Sequence, residues 1–400
     1  MAKLNSGSSY VALSVCHMAG TIDLAALPLW IGGLIEYYHL TPPQAGMTVT
    51  LFLGSVVLIS SLLAPRFHQL KHRYVAVSGF LLAALCFLIM SGLPVSDERL
   101  AAFLILHSVA GLGVGAALSV THGCIGRTKN PHHLFGIVNV SMGALAIAMF
   151  AVMPGMVRQL GGQVIFTAFA ITVGISAIYA LFFFPTIDHL SVTEKHKTRL
   201  SGSMPPVAWM IIGVVICLTL SQSMVFSFVE RIGVNRGFES SNIQAMFVIM
   251  GFINLLPGIL AALMQKRLSP ISVSFSGPVL QALAALTLTS SSSFLLFAIP
   301  VSVYVTLAIF THTFLFGLLS KIDPSGRAVA ATPAMMMIGS ASGPVLGGLI
   351  VSVVGYHGLG WGVAVIACVA STLTFQARTL LSQSNRSSAL TNTKENFIYD

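Results

Sequence analysis

Twelve apolar runs, each near 20 residues long and separated by short polar segments, take up most of this 400-residue chain. No other feature restricts the fold as much. A helix rises 1.5 Å per residue, so about 20 apolar residues cross the roughly 30 Å hydrocarbon core of a bilayer, where the backbone must satisfy its own N–H and C=O groups. The runs lie at 9–35, 43–64, 74–94, 100–124, 134–157 and 163–184, then 207–229, 242–264, 270–290, 294–318, 328–354 and 359–380. Composition points the same way: 55% of residues are hydrophobic and 8% are charged, against about 25% charged in an average soluble domain. The surplus apolar side chains must face lipid, and the expected fold is an all-α membrane protein of 12 transmembrane helices.

Orientation follows from Lys and Arg. With an even number of spans both termini share a side, and 16 of the 20 basic residues then fall on that side, against Arg99, Arg158, Arg231 and Arg236 on the other. The positive-inside rule makes the basic side cytoplasmic, with N- and C-termini inside and the protein multi-pass in the inner (cytoplasmic) membrane. The formal charge of +9 therefore reports topology, and no nucleic-acid partner is expected. Five cysteines, Cys16, Cys86, Cys124, Cys217 and Cys368, all sit inside apolar runs, which argues against a disulfide framework. Met1 to Ser9 lacks a cleavage-site pattern, so a removable signal is not expected.

The longest polar stretch inside the bundle, Thr186 to Pro206, divides the spans six and six. The expected organisation is an N-terminal six-helix bundle (1–185), a cytoplasmic central loop (186–206), a C-terminal six-helix bundle (207–381) and a Ser/Asn/Thr-rich tail (382–400) of disordered composition. Shifting the first half by 200 residues lays Gln44-Ala45 on Gln244-Ala245 and Arg66 on Lys266. Such faint parallel repeats are built by transporters around a midplane site.

Three segments carry a family likeness. Gly339-Ser-Ala-Ser-Gly343-Pro344-Val-Leu-Gly347-Gly348 in the eleventh span matches GxxxGPxxGG, His107 to Gly115 in the fourth reads His-x-x-x-Gly111-x-x-x-Gly115, and Leu63 and Arg66 stand between the second and third spans. Together with the six-plus-six layout, over residues 9 to about 381, the chain resembles the major facilitator superfamily. That resemblance implies two pseudo-symmetric six-helix bundles and a secondary transporter. It also marks Arg66, Gly111, Gly115, Gly339, Gly343, Pro344 and Gly347 as conformational positions. The departures are specific. The family's loop pattern Gly-x-Leu-x-Asp-Arg-x-Gly-Arg has Pro65 for the aspartate and His68 for the second glycine, histidine replaces the fourth-helix arginine, and the glycine-proline motif belongs to helix 5 in the family's proton-driven exporters.

Asp23 is the only acidic residue well inside a span. Charges there are rare and mark ion or substrate paths, so Asp23 is the expected proton-coupling residue, with a structural, hydrogen-bonded acid as the alternative. His107 shares a face with Gly111 and Gly115 and is a second candidate relay, although its depth differs from that of Asp23 by roughly 8 Å at 1.5 Å per residue. His17 and His122 read as structural. Trp30, Gln222, Ser223, Asn254, Tyr304 and His312 are candidate substrate contacts, each weighed against a plain interhelical hydrogen bond. Glu230 and Arg231, at the outer end of the seventh span, form a candidate gate pair, with a solvated surface pair as the alternative.

The expected function is secondary active transport of a small organic solute. A single embedded acid and an otherwise apolar lining favour proton-coupled export of an amphipathic drug, metabolite or siderophore-like compound. Proton-coupled uptake of a small metabolite or organic acid is the alternative, and a non-transporting membrane receptor the third reading. No His-Glu-x-x-His motif is present, and alanine stands where a Gly-x-Ser-x-Gly nucleophile would sit in Gly339 to Gly343, so no enzyme, metal or cofactor is expected. The proton gradient would supply the energy, the partners would be the solute and the bilayer, and the chain would act as a monomer.

Overall fold

Among the described residues, each of the twelve runs contributes a helix long enough to cross a membrane. The computed structural model describes residues 3–93, 100–185, 204–323, 328 and 332–396. Most of the central loop, with Arg99, Lys195, Lys197, Arg199 and Arg327, lies outside them. The spans are α1 (Gly7–Glu36), α2 (Pro42–Leu63), α3 (His72–Gly92), α4 (Leu100–Ile125), α5 (His133–Leu160) and α6 (Gln163–Phe183) in the first half. The second half has α7 (Pro206–Asn235), α8 (Ser240–Ala261), α9 (Pro270–Ser290), α10 (Phe294–Ile322), α11 (Ala334–Val354) and α12 (His357–Gln383).

Three spans are interrupted where the sequence supplies a reason. In α1 the helix stops at Gly20 and restarts at Ile22; the Thr21 hydroxyl hydrogen-bonds back to the His17 carbonyl at 2.8 Å, competing with the backbone ladder, and Pro28 leaves the Leu24 carbonyl without its usual helical donor. α8 turns at Asn254 and restarts at Pro257, a proline's natural place in a first turn. α7 breaks between Phe226 and Val229, so Glu230 and Arg231, placed by the sequence just past the helix, belong to a second helical segment of α7. The last helix continues to Asn396, past Ser382, where composition suggested disorder begins. Extending an existing helix needs no new nucleus.

The halves repeat one packing scheme. α3 pairs with α4 and α6, and α9 with α10 and α12; α1 packs on α4, α5 and α6, and α7 on α10, α11 and α12. Glycine lets these axes approach. A Cβ on Gly111 would lie 2.2 Å from the Phe52 carbonyl oxygen, and one on Gly115 2.7 Å from the Val56 Cα, fixing the α2–α4 seam. Gly339, Gly343 and Gly347 likewise lie against Ile216, Met224 and Phe228, so the eleventh-span motif is first a close seam between α7 and α11. Leu85, Leu88, Ile105, Ile178, Leu283 and Ile299 point outward, as lipid-facing residues do.

Among the described residues the two halves meet chiefly at three helix pairs, with these contacts toward the face opposite the basic clusters. The start of α2 crosses the end of α11, where Gly46 abuts the Pro344 carbonyl, Gly348 abuts that of Pro42, and the Val345 N–H donates to Thr50 Oγ1 at 3.2 Å. α5 meets α8 through stacked Phe150 and Phe247 and a Gln244–Ala151 hydrogen bond of 2.5 Å. The end of α1 meets the second segment of α7 through an Arg231–Glu36 ion pair, also 2.5 Å. Toward the basic face the halves diverge around a cavity.

Candidate functional site

That cavity, about 720 Å³ in volume, is lined from both halves. Leu24, Leu53, Val57, Leu118, Met336 and Met337 make most of its wall apolar, with Thr21, Ser60, Ser61, Ser119, Asn139 and Ser340 as scattered hydrogen-bonding groups. Its titratable groups are Asp23, His17, His122 and Arg127.

Asp23 lies in the first turn of the helical segment that restarts after Thr21. Its carboxylate faces its own backbone N–H and that of Leu24. A helix start carries partial positive charge and unsatisfied N–H groups, so an anion there is partly compensated without a cation. The break in α1 thus does two things at once: it opens the wall of the cavity and provides a seat for a lone carboxylate. A half-buried acid so placed can hold or release a proton without an ion partner in either state.

His17 and His122 face each other across the cavity wall, with His17 Nδ1 and His122 Nε2 3.0 Å apart. One ring must donate and the other accept, so the pair accommodates two neutral rings or one imidazolium, and double protonation would break the bond. The sequence reading gave both residues a structural role. Nothing in a linear pattern joins a position near the start of α1 to one near the end of α4. Only the close α1–α4 approach at Gly20, whose Cβ would strike the Leu118 side chain, brings them together.

His107 sits elsewhere. Its Nδ1 hydrogen-bonds the Phe103 carbonyl at 2.7 Å and its Nε2 accepts from Trp30 Nε1 at 3.1 Å. A carbonyl can only accept and an indole N–H can only donate, so the ring is a neutral imidazole with both nitrogens engaged. Phe52, Phe87 and Phe169 enclose the partner Trp30, and neither residue lines the cavity. The pairing of His107 with Asp23 is therefore not formed, and Trp30 is a core side chain in this conformation.

The expected second-half contacts are also engaged in packing. Ser223 Oγ donates to the Ser340 carbonyl at 2.7 Å, Tyr304 OH to that of Ser221 at 3.0 Å, and Thr306 Oγ1 to Asn254 Oδ1 at 2.7 Å. His312 stacks on Phe316, and Gln222 is half-buried on α7. None of these five lines the cavity, whose second-half wall comes from Ala334, Met336, Met337 and Ser340. The run Met335-Met336-Met337 near a span start was the available signal, since flexible thioethers suit adaptable apolar walls.

The loop after α2 departs from its family pattern and is held differently. Arg66 is exposed and donates to the Leu62 carbonyl at 3.0 Å. Phe67 is the anchor: it fills the space left by Gly123, stacks on His72, and carries the Arg127 guanidinium 4.1 Å above its ring. Arg127, counted from sequence as a loop residue, thereby reaches the cavity mouth. The gate pair is also corrected. The partner of Arg231 is Glu36 on the other half, not its neighbour Glu230, because adjacent helical residues do not face each other.

Two helical bundles of six, related by an internal repeat and meeting around a cavity open toward one face, define a membrane carrier. The model of the Major Facilitator Superfamily matches residues 13–332, and the chain belongs to that family; it is a transporter and not an enzyme. A search of curated protein sequences finds no match. Among solved structures, the nucleoside transporter NupG is similar at 14% identity and a TM-score of 0.69 over 94% of this chain and 99% of that one. A D-xylose-proton symporter gives 13%, 0.72, 92% and 96%. A bacterial homolog of the human lysosomal transporter Spinster, inward-facing and unoccupied, gives 14%, 0.71, 94% and 97%. At these identities the likeness is one of fold.

Proposed function

We propose that the chain is a proton-coupled carrier that exports a small amphipathic organic solute across the cytoplasmic membrane, with the basic face cytoplasmic and Asp23 as the coupling carboxyl. The observation that carries this reading is the seat of Asp23, a single carboxylate at a helix start inside the cavity between the halves. A solute and a proton competing for that carboxylate would exchange across the membrane as the halves rock. Apolar walls around one acid suit a weakly basic or hydrogen-bond-donating amphiphile of drug or metabolite size. The His17–His122 pair, in the same cavity, is a second place where a proton or a polar solute group could be held.

A second reading, uptake symport of a polar metabolite, draws on the ring of Ser60, Ser61, Ser119 and Asn139. Two of the similar structures are named for a nucleoside and for D-xylose with a proton. Arg127 at the mouth is the group an organic acid would meet first.

The test is proton flux in proteoliposomes carrying an internal pH dye, with amphipathic amines in one panel and nucleosides, sugars and organic acids in another. Export by exchange is expected to move protons opposite to an amine. Flux in the same direction as a polar metabolite would favour uptake, and no response to either panel would favour a receptor.

A further inference from the structure

The closed face of the interface contains a carboxyl group that the gate itself does not use. Glu230, at the second position of the α7 segment Val229–Asn235, has a buried Oε2 with no hydrogen-bond partner. That oxygen is seated on Gly32 of α1, where an added Cβ would stand 2.3 Å away. Only glycine at 32 leaves the socket open, so the contact between the halves here is a carboxyl pressed against bare backbone.

The surrounding charges do not neutralise it. Arg231, the next residue, gives Nη1 to Glu36 at 2.5 Å and lies against Tyr356, in the turn between α11 and α12, while its buried Nε makes no hydrogen bond to Glu230 or to any other group among the described residues. Tyr37, just past the end of α1, and Arg158 of α5 line the same cavity of about 210 Å³, and α8 contributes only the neutral Ser240, Ile243, Gln244 and Phe247. Of the nearby charges, Arg231 attracts a carboxylate at this position and Glu36 repels one. An ionised oxygen with no donor is far more costly to bury than a neutral one. When the halves part on this face, Gly32 withdraws, water reaches Oε2, and that cost disappears.

We propose that Glu230 is a further proton-binding site, distinct from Asp23 and from the His17–His122 pair, which is filled while the α1–α7 contact is closed and emptied when it opens. The sign follows by linkage. The closed state binds one more proton, so raising the pH moves the population toward the open state, by at most about tenfold per pH unit for one proton. The inference rests on the rocking of the halves in the carrier reading, but on neither Asp23 nor any solute.

The experiment measures the separation of spin labels at Thr41→Cys, just before α2, and Val353→Cys on α11, with Cys368→Ser and Asp23→Asn to remove a competing thiol and the other embedded acid. The full chain is reconstituted in nanodiscs and read by pulsed dipolar spectroscopy between pH 5 and 9, a window of about two units either side of neutrality. The closed-to-open ratio is expected to fall several-fold or more as pH rises. Glu230→Gln, which cannot ionise, should stay closed with that dependence abolished. An unchanged pH dependence in Glu230→Gln overturns the proposal. Should that variant fail to assemble, Gly32→Ala serves, because the methyl expels the carboxyl from its socket; the dependence should shrink, and an undiminished one is equally contrary. No solute or gradient enters the measurement, so its failure leaves the reading of Asp23 standing, and the reverse holds.

Discussion

Single side chains divide into those that face the cavity and those that look functional in sequence but are engaged in the core. Asp23 was legible because it is the only acid deep in a span, and scarcity in an apolar run is itself a physical signal. The His17–His122 contact was not, since it depends on helix rotation and approach, which one-dimensional spacing leaves free. His107 was attractive for its face shared with two glycines, but those glycines serve the α2–α4 seam and the imidazole serves Trp30. Trp30→Phe should therefore leave His107 Nε2 without its donor in a site of zero exposure. The expected cost is about 1–3 kcal/mol of stability with proton coupling retained. Thermal unfolding in detergent and proton flux on the same preparation check it; lost coupling at unchanged stability would restore His107 to the mechanism.

Among helices, the spans themselves were readable to within a few residues, because length and apolarity are imposed by the bilayer. Their breaks were only half readable. A proline such as Pro257 marks the bend in α8, whereas the interruptions at Thr21 and after Phe226 depend on local hydrogen bonding and on packing. The glycines show why a motif alone misleads. Gly343 packs on Met224 and Ser223 within the second half, whereas Gly46 packs on the Pro344 backbone across the halves. Gly343→Val should overpack the α7–α11 seam and lower stability by about 1–3 kcal/mol. Gly46→Val, whose Cβ would meet a carbonyl oxygen at 2.2 Å, should instead wedge the α2–α11 crossing and favour the alternate state, open on the face opposite the basic clusters. Labelling of single cysteines around Thr41 with a membrane-impermeant maleimide separates the two: faster labelling is expected for Gly46→Val, and equal rates would contradict it.

For the whole molecule, the six-plus-six division and the repeat were visible in the sequence, because each half must bury the same faces. Which face is closed was not. That is set by three crossings whose residues, Pro42 with Gly348, Phe150 with Phe247 and Glu36 with Arg231, lie about 100 to 300 positions apart; carriers of this kind switch between two such arrangements. The conformation described is closed on the face that carries Glu230 and open on the basic face, so a carrier cycle must break these crossings and close the cavity over Asp23. The most direct measurement is a comparison of solute counterflow with gradient-driven accumulation, for the wild type and Asp23→Asn, in proteoliposomes with an imposed pH difference. Asp23→Asn is expected to keep exchanging solute across the membrane while losing accumulation against its gradient. Accumulation at the wild-type level in Asp23→Asn would contradict the assignment of the coupling proton to that carboxyl.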